Sequence, residues 1–448
     1  MTTADITSTD PGTVDSTADP AAWGARHAHD PTVVRDDDGT YFMFSTDSVA
    51  NSEYIPTGVH VRTSPDLVEW TYAGTALEGV PRPAAEWSGA KGLWAPEVVR
   101  WESGDWHMYY SASTFGSNTS AIGLAVAPSP SGPWRDRGLV VATRAGQHSQ
   151  NAIDAAVTVD ADGAPWLTYG SFFSGIYILP LDRSSGLPLV EGDLGAVIAR
   201  RPKSVEGAVE GAFILRRPED GRYVLFASYD SLFSSYNVRV AVADAITGPY
   251  RDFHGLAMTD LDAPPASVGT KVLGSHRFDG GTGWLAPGHN SVLTQDGPDG
   301  APEHFMVHHV RFATDPTEHV VQLRRLFFTS AGWPVVSPQP FAGRETETLP
   351  SPEHVDGTWQ VLRFDPESTD LVAAVAAELA SEVPMVSDGT PAPARLRIAG
   401  EQDGSGEAIG LDAVVFGSWD PLRGRSALSF SGIDQHGVAW SGTKGAIS

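Results

Sequence analysis

The chain has 448 residues, and its 30 Lys and Arg against 55 Asp and Glu give a formal net charge of −25, which opposes binding to phosphate backbones or anionic lipid and leaves neutral substrates open. It contains no cysteine, so disulfides, thiolate catalysis and Cys-ligated zinc are excluded. No apolar run approaches the ~18 residues needed to span a bilayer. Residues 1–22, rich in Ser, Thr, Asp and Pro, carry little to bury and are expected to form a disordered tail. They show neither a basic n-region nor an apolar h-region, so the chain as given is expected in the cytoplasm, or outside the cell if a leader has been trimmed.

From Trp23 onward one unit recurs five times. It begins in turn at "HDPTVVRDDDGTYFMFSTD", "APEVVRWESGDWHMYYSAS", "DAAVTVDADGAPWLTYGSF", "EGAFILRRPEDGRYVLFASYD" and "HNSVLTQDGPDGAPEHFMVHH". Each copy is a Val- or Ile-rich run, an acidic turn with glycine, and an aromatic run, which is a hairpin signal. Hairpins repeating at a blade-like period predict an all-β, five-bladed propeller over 23–344. The 47 glycines and 33 prolines suit a turn-rich β protein. The stretch "VVQLRRLFFTSAGWPVV" supplies the outer strands of the fifth unit, and the Pro-rich "SPQPFAGRETETLPSPEH" reads as a linker. Residues 345–448 are expected to form a small sandwich- or barrel-like β-domain with strands at "GTWQVLRF", "ARLRIAG", "DAVVFGSW" and "SALSFSG". Within it "DLVAAVAAELASEV" has helix-favouring composition and is open to either assignment.

Aligning the five units on their first strands places Asp30, Ala95, Asp154, Glu210 and His289 at one position. A propeller brings equivalent inner-strand positions to one funnel, so four ionisable groups converge there. A single acid at a strand start is ordinarily a turn former; convergence favours a functional reading. Carboxyls around a polar funnel suit glycoside hydrolysis, where one protonates the leaving oxygen and another activates water or attacks. Crowding raises one pKa and keeps that group protonated. Trp94, Phe115, Trp166, Phe172 and Phe173 are candidate sugar platforms, with Trp94 the best placed. Neither "HAHD" nor "VHH" has the spacing of a zinc motif, and "DDDG" lacks that of a calcium loop and reads as a hairpin turn.

Eleven short stretches in order, among them "HDPTVV", "LWAPEV", "NAID", "TYGSFFSGIYIL", "VEGAFIL", "SYNVRV" and "PGHNSV", resemble glycoside hydrolase family 43 and within it the two-domain endo-α-1,5-L-arabinanases. The resemblance implies an inverting glycosidase acting on arabinan or arabino-oligosaccharides, with Asp30 as general base, Glu210 as general acid and Asp154 as the group that tunes the acid. It implies that Trp94, Phe115, Asn151 and Ser171 hold arabinose units. It also implies that His289 contacts a mostly water-coordinated Ca2+ on the propeller axis; no organic cofactor, nucleic acid or membrane partner is expected, and a monomer is the default. Glu206 carries an "EGA" of its own, but the "FIL" strand follows Glu210 directly. Glu97 stands where the family commonly has Asp, and the segment after "FASYD" is shorter than usual. Alternatives are an exo-acting arabinofuranosidase or xylosidase of the same family, a retaining fructan hydrolase of a related fold, and a propeller that binds glycans without cleaving them.

Overall fold

A computed structural model of the chain describes residues 19–444 apart from 53–54, 298–299, 344, 346–352 and 403–407. Most of the expected tail lies outside the described residues; its end, Pro20–Ala22, is a 3-10 turn capped by the Asp19 carboxylate.

Each repeated hairpin is the inner half of an antiparallel blade. Blade 1 runs Thr32–Arg35, Tyr41–Ser45, His60–Ser64, Thr71–Thr75; blade 2 runs Trp94–Arg100, Trp106–Ala112, Ser120–Ala127, Arg135–Thr143. Blade 3 is Ala156–Val159, Pro165–Tyr169, Ile176–Pro180, Ala196–Ala199, and blade 4 is Val209–Arg216, Tyr223–Tyr229, Asn237–Ala243, Thr270–Leu273. Blade 5 comprises Trp284–Asp296, Pro302–Phe312, His319–Phe328 and Pro334–Val336. The β-branched and aromatic residues that marked the repeats fill the second strands, where Tyr41–Ser45, Trp106–Ala112 and Tyr223–Tyr229 are buried throughout. The acidic turns do local work: the Asp160 carboxylate accepts the N–H groups of Asp162 and Ala164, both at 2.9 Å.

The inner strands neighbour one another in a ring, blade 1 also touching blade 5. The chain start completes that closure: Arg26 bridges Val320, and the His27 and Val321 N–H groups bond to His319 and Ala25 carbonyls.

Gly357–Phe364, Val375–Ser381, Ala392–Gln402, Ala408–Asp420, Arg425–Asp434 and Ala439–Lys444 close into a six-stranded barrel. The helix-favouring stretch is therefore strand: Val375–Ser381 pairs with the strand starting at Gly357 and with Leu396–Ile398. Helix propensity there amounts to tenths of a kcal/mol per residue, and pairing on both edges overrides it. Phe226, Met306 and Leu326 of the propeller share one buried cluster with Leu362, Phe416 and Ile433 of the barrel, so the two units are packed together. The Pro-rich stretch is not a free tether at its start. Residues 337–343 run along blade 5, where the Phe341 N–H bonds to the Leu323 carbonyl at 2.7 Å; 344 and 346–352 lie outside the described residues. No described helix is long and apolar enough to cross a membrane.

Candidate active site

The inner strands begin with a repeated backbone device. Asp30, Ala95, Asp154, Gly211 and His289 all take left-handed φ values, between +39° and +61°. In blades 2, 4 and 5 this residue sits in a bulge beside the second strand. In four blades its N–H is held by a side chain near or just past the end of the second strand of the preceding blade. Thr46 Oγ1 receives Ala95 at 2.9 Å, Ser111 Oγ receives Asp154 at 3.0 Å, Ser228 Oγ receives His289 at 2.8 Å, and His309 Nδ1 receives Asp30 at 3.3 Å. Blade 3 offers Gly170 instead, where an added Cβ would lie 2.4 Å from the Gly175 carbonyl oxygen. With no side chain to meet it, the Gly211 N–H turns to Asp154 Oδ2 at 3.2 Å. The missing latch thus ties the third blade's acid to the fourth blade's strand.

The pattern corrects the alignment made on sequence. The counterpart of Asp30 and Asp154 in blade 4 is Gly211, and Glu210 stands one residue earlier, in register with Trp94 and Gly288. Blades 2 and 5 carry the same bulge, so the offset arises in the alignment itself, which set Glu210 rather than Gly211 at the head of the apolar run. Asp30, Asp154 and Glu210 nevertheless share one electrostatic neighbourhood, the charges of Glu210 and Asp30 both acting on the titration of Asp154.

Their environments differ. Thr46 donates to Asp30 Oδ2 at 2.6 Å, while His29 Nδ1 and His289 Nδ1 lie 2.8 and 3.1 Å from Oδ1. Burial alone would raise the Asp30 pKa, but the surrounding His289, His29 and His309 imidazoles hold its carboxyl well below the usual range. Glu210 is pushed the other way, first by burial and then by the Asp30 charge, against the bonds it accepts from Ser171 Oγ at 2.6 Å and Tyr236 Oη at 2.9 Å. Asp154 is raised well above its normal value, by burial first and then by Glu210 and Asp30. One carboxylate kept charged beside two carboxyls that resist ionisation is an acid–base arrangement.

Residues 24–334 match the family described as glycosyl hydrolases family 43. The chain belongs to that family. It is 27% identical to the extracellular endo-α-(1→5)-L-arabinanase 2 of Bacillus subtilis, over 93% of this chain and 92% of that protein. It is 32% identical to the extracellular exo-α-(1→5)-L-arabinofuranosidase of Cellvibrio japonicus, over 70% and 88%. The crystal structure of the endo-1,5-α-L-arabinanase from Thermotoga petrophila superposes with a TM-score of 0.78 at 26% identity, covering 94% of this chain and 99% of that one. The barrel is therefore shared with a family 43 relative.

In this family 43 chain the expected sugar-contacting residues divide into two groups. Trp94 is half-buried and Phe115 is 80% exposed, so both present aromatic surface. Asn151 and Ser171 are buried and committed to the protein: Asn151 accepts from Ser120 at 2.7 Å, and Ser171 donates to Glu210. Glu206 is exposed, at the end of a 3-10 turn away from this network. Sequence reasoning named His289 but missed Tyr236, Thr46 and the placing of His29 and His309 against Asp30. Thr46, Ser111 and Ser228 occupy like places at the ends of the aromatic runs, a signal present in the repeat. His29 and His309, 280 residues apart, stack at 3.7 Å and carried no such signal.

A calcium ion was expected at His289. Its Nδ1 is engaged with Asp30, and Asn290 beside it has both amide atoms buried without a partner. Calcium takes six to eight oxygens. Protein donors at His289 fit such an ion only if water fills most of its coordination. Among the described residues, His29, Asp30 and His309 also bring possible ligand atoms within 4.8 Å of one another, as part of the Asp30 environment itself.

Glu97 sits on the inner strand of blade 2, bonded by the Thr32 hydroxyl and the Val157 N–H of the flanking blades, and burial raises its pKa to about 8. Its folded pKa exceeds the unfolded one, so the stability linked to its proton is complete below the unfolded pKa and is lost as pH rises toward about 8. Glu97→Gln should therefore flatten the fall in urea midpoint between pH 5 and 8.5; parallel curves for variant and parent would refute this account.

Proposed function

We propose that this family 43 enzyme hydrolyses α-1,5-linked L-arabinan and arabino-oligosaccharides by single-displacement inversion, with Asp30 as base, Glu210 as acid and Asp154 tuning the acid. The observation that carries this reading is the opposed displacement of two buried carboxyls, Asp30 held down and Glu210 pushed up. Asp30, ionised, takes a proton from water as the water oxygen bonds the anomeric carbon. Glu210, protonated, delivers its proton to the glycosidic oxygen as the bond to that carbon breaks on the opposite face. Asp154, tied to the Gly211 N–H and acted on by the Glu210 charge, shares the acid's titration and fixes the start of the strand that carries it. Trp94 and Phe115 offer ring faces to the sugar. A calcium held by His289 and water would add positive charge on the axis, favouring the ionised form of Asp30.

The names of relatives that cover both domains and the family of the propeller support this substrate. A time course of products from linear α-1,5-arabinan, read by chromatography, is the test. A ladder of oligosaccharides is expected for endo action; arabinose alone from the start means an exo enzyme, as the Cellvibrio relative is named. No release from polymer or oligosaccharide, with binding retained, would replace hydrolysis by a glycan-binding role.

A further inference from the structure

Two exposed phenyl rings meet on the carboxyl side of the propeller. Phe115 lies on the loop after Trp106–Ala112 in blade 2, and Phe233 on the loop after Tyr223–Tyr229 in blade 4. Those two second strands supply Ser111 and Ser228, which latch the residues at the head of the inner strands, so both loops rise on the face where the acids lie. The rings are 6.3 Å apart and tilted by 59°, although Phe115 is 80% and Phe233 56% exposed. The contact spans the sector of blade 3, whose own loop carries Ser171, the residue bonded to Glu210.

The Phe233 loop is braced. Asp230 at its start pairs with Arg201 at 2.6 Å and accepts from Asn237 at 2.8 Å. Arg311 of blade 5 donates to the Leu232 carbonyl at 2.9 Å and places its guanidinium 5.3 Å from the Phe233 ring. The same loop ends in Tyr236, which donates to Glu210.

We propose that Phe233 is a specificity-determining residue: paired with Phe115 it bridges the mouth of the funnel above Glu210, so that chain ends and short oligosaccharides reach the acid more readily than the interior of a polymer. A furanose ring does not fit between two phenyl rings whose centroids are 6.3 Å apart. An interior segment, which cannot thread in by an end, must part them first; a short chain enters beneath. An aromatic pair of this kind is worth about 0.5–1.5 kcal/mol, so the bias it imposes is about 2–10-fold. Both rings are largely in solvent, and their contact adds little to the stability of the fold; its consequence falls on access.

The inference rests on the arabinan hydrolysis proposed above. The experiment compares kcat/KM on linear α-1,5-arabinan and on arabinotriose for the parent, Phe233→Ala and Phe233→Tyr. Phe233→Ala should raise the polymer-to-trisaccharide ratio by about 2–10-fold, mainly through a lower KM for polymer, with the trisaccharide turnover unchanged. Phe233→Tyr, which keeps the ring, should return the parental ratio. An unchanged ratio in Phe233→Ala, with the parent active on both substrates, overturns the bridge and leaves the proposed function standing. A parent that cleaves neither substrate overturns the proposed function, and the bridge with it.

Discussion

Glu210→Gln should lower turnover of linear arabinan by about 10²–10⁴, the usual contribution of a positioned proton donor. The substitution keeps the size of the side chain and groups able to bond Ser171 and Tyr236, so the loss reports the proton rather than the packing. Two further readings separate an acid from a merely structural residue. An aryl arabinofuranoside with a good leaving group needs little protonation, and its hydrolysis should fall far less than that of arabinan. The pH profile should also change on one side only. With the roles proposed above, the parent works when Asp30 is ionised and Glu210 protonated, so activity should rise with pH through the lowered pKa of Asp30 and fall through the raised pKa of Glu210. Without Glu210 the alkaline limb disappears. Equal losses on arabinan and on the activated substrate, with the alkaline limb intact, would remove Glu210 from the role of acid.

Asp30→Asn is expected to reduce turnover by a comparable factor, about 10²–10⁴, and to do so on both substrates, because water must be activated whatever the leaving group. Here the acid limb is the one that vanishes. The carboxyl that Thr46, His29 and His289 surround is replaced by an amide that cannot take a proton from water, and its NH2 group faces donors where an acceptor stood. A well-folded Asp30→Asn protein that keeps parental turnover on arabinan would exclude Asp30 as the base.

The five hairpins were legible because each depends on local chemistry: β-branched and aromatic runs around an acidic turn whose carboxylates satisfy their own backbone, as Asp160 does. Five such units in sequence imply a closed ring, since a single blade cannot bury both its faces. Candidate acids could be named from the same pattern, because residues at like places in a radial repeat must converge. What the sequence did not carry is the backbone geometry that makes Gly211, and not Glu210, the counterpart of Asp30 and Asp154. Backbone pairing does not show in composition, and Gly170 at the blade 3 latch acquires meaning only once the N–H of Gly211 is seen to turn to Asp154.

The environment that sets the charge of each carboxyl was equally hidden. Asp30 meets His289 and His309, contributed by the last blade and nearly the whole chain away, and Glu210 meets Ser171 and Tyr236 from two loops. Strand for helix at Val375–Ser381 was decided in the same way, by partners on both edges rather than by the residues themselves. By itself the sequence determined the repeat, the ring and the identity of the candidate acids, all of which follow from short-range patterning. Only the tertiary structure decided which carboxyl is charged, which resists charge, and what stands over them. A pKa and an aromatic contact are sums over neighbours in space, and in a propeller those neighbours come from every blade.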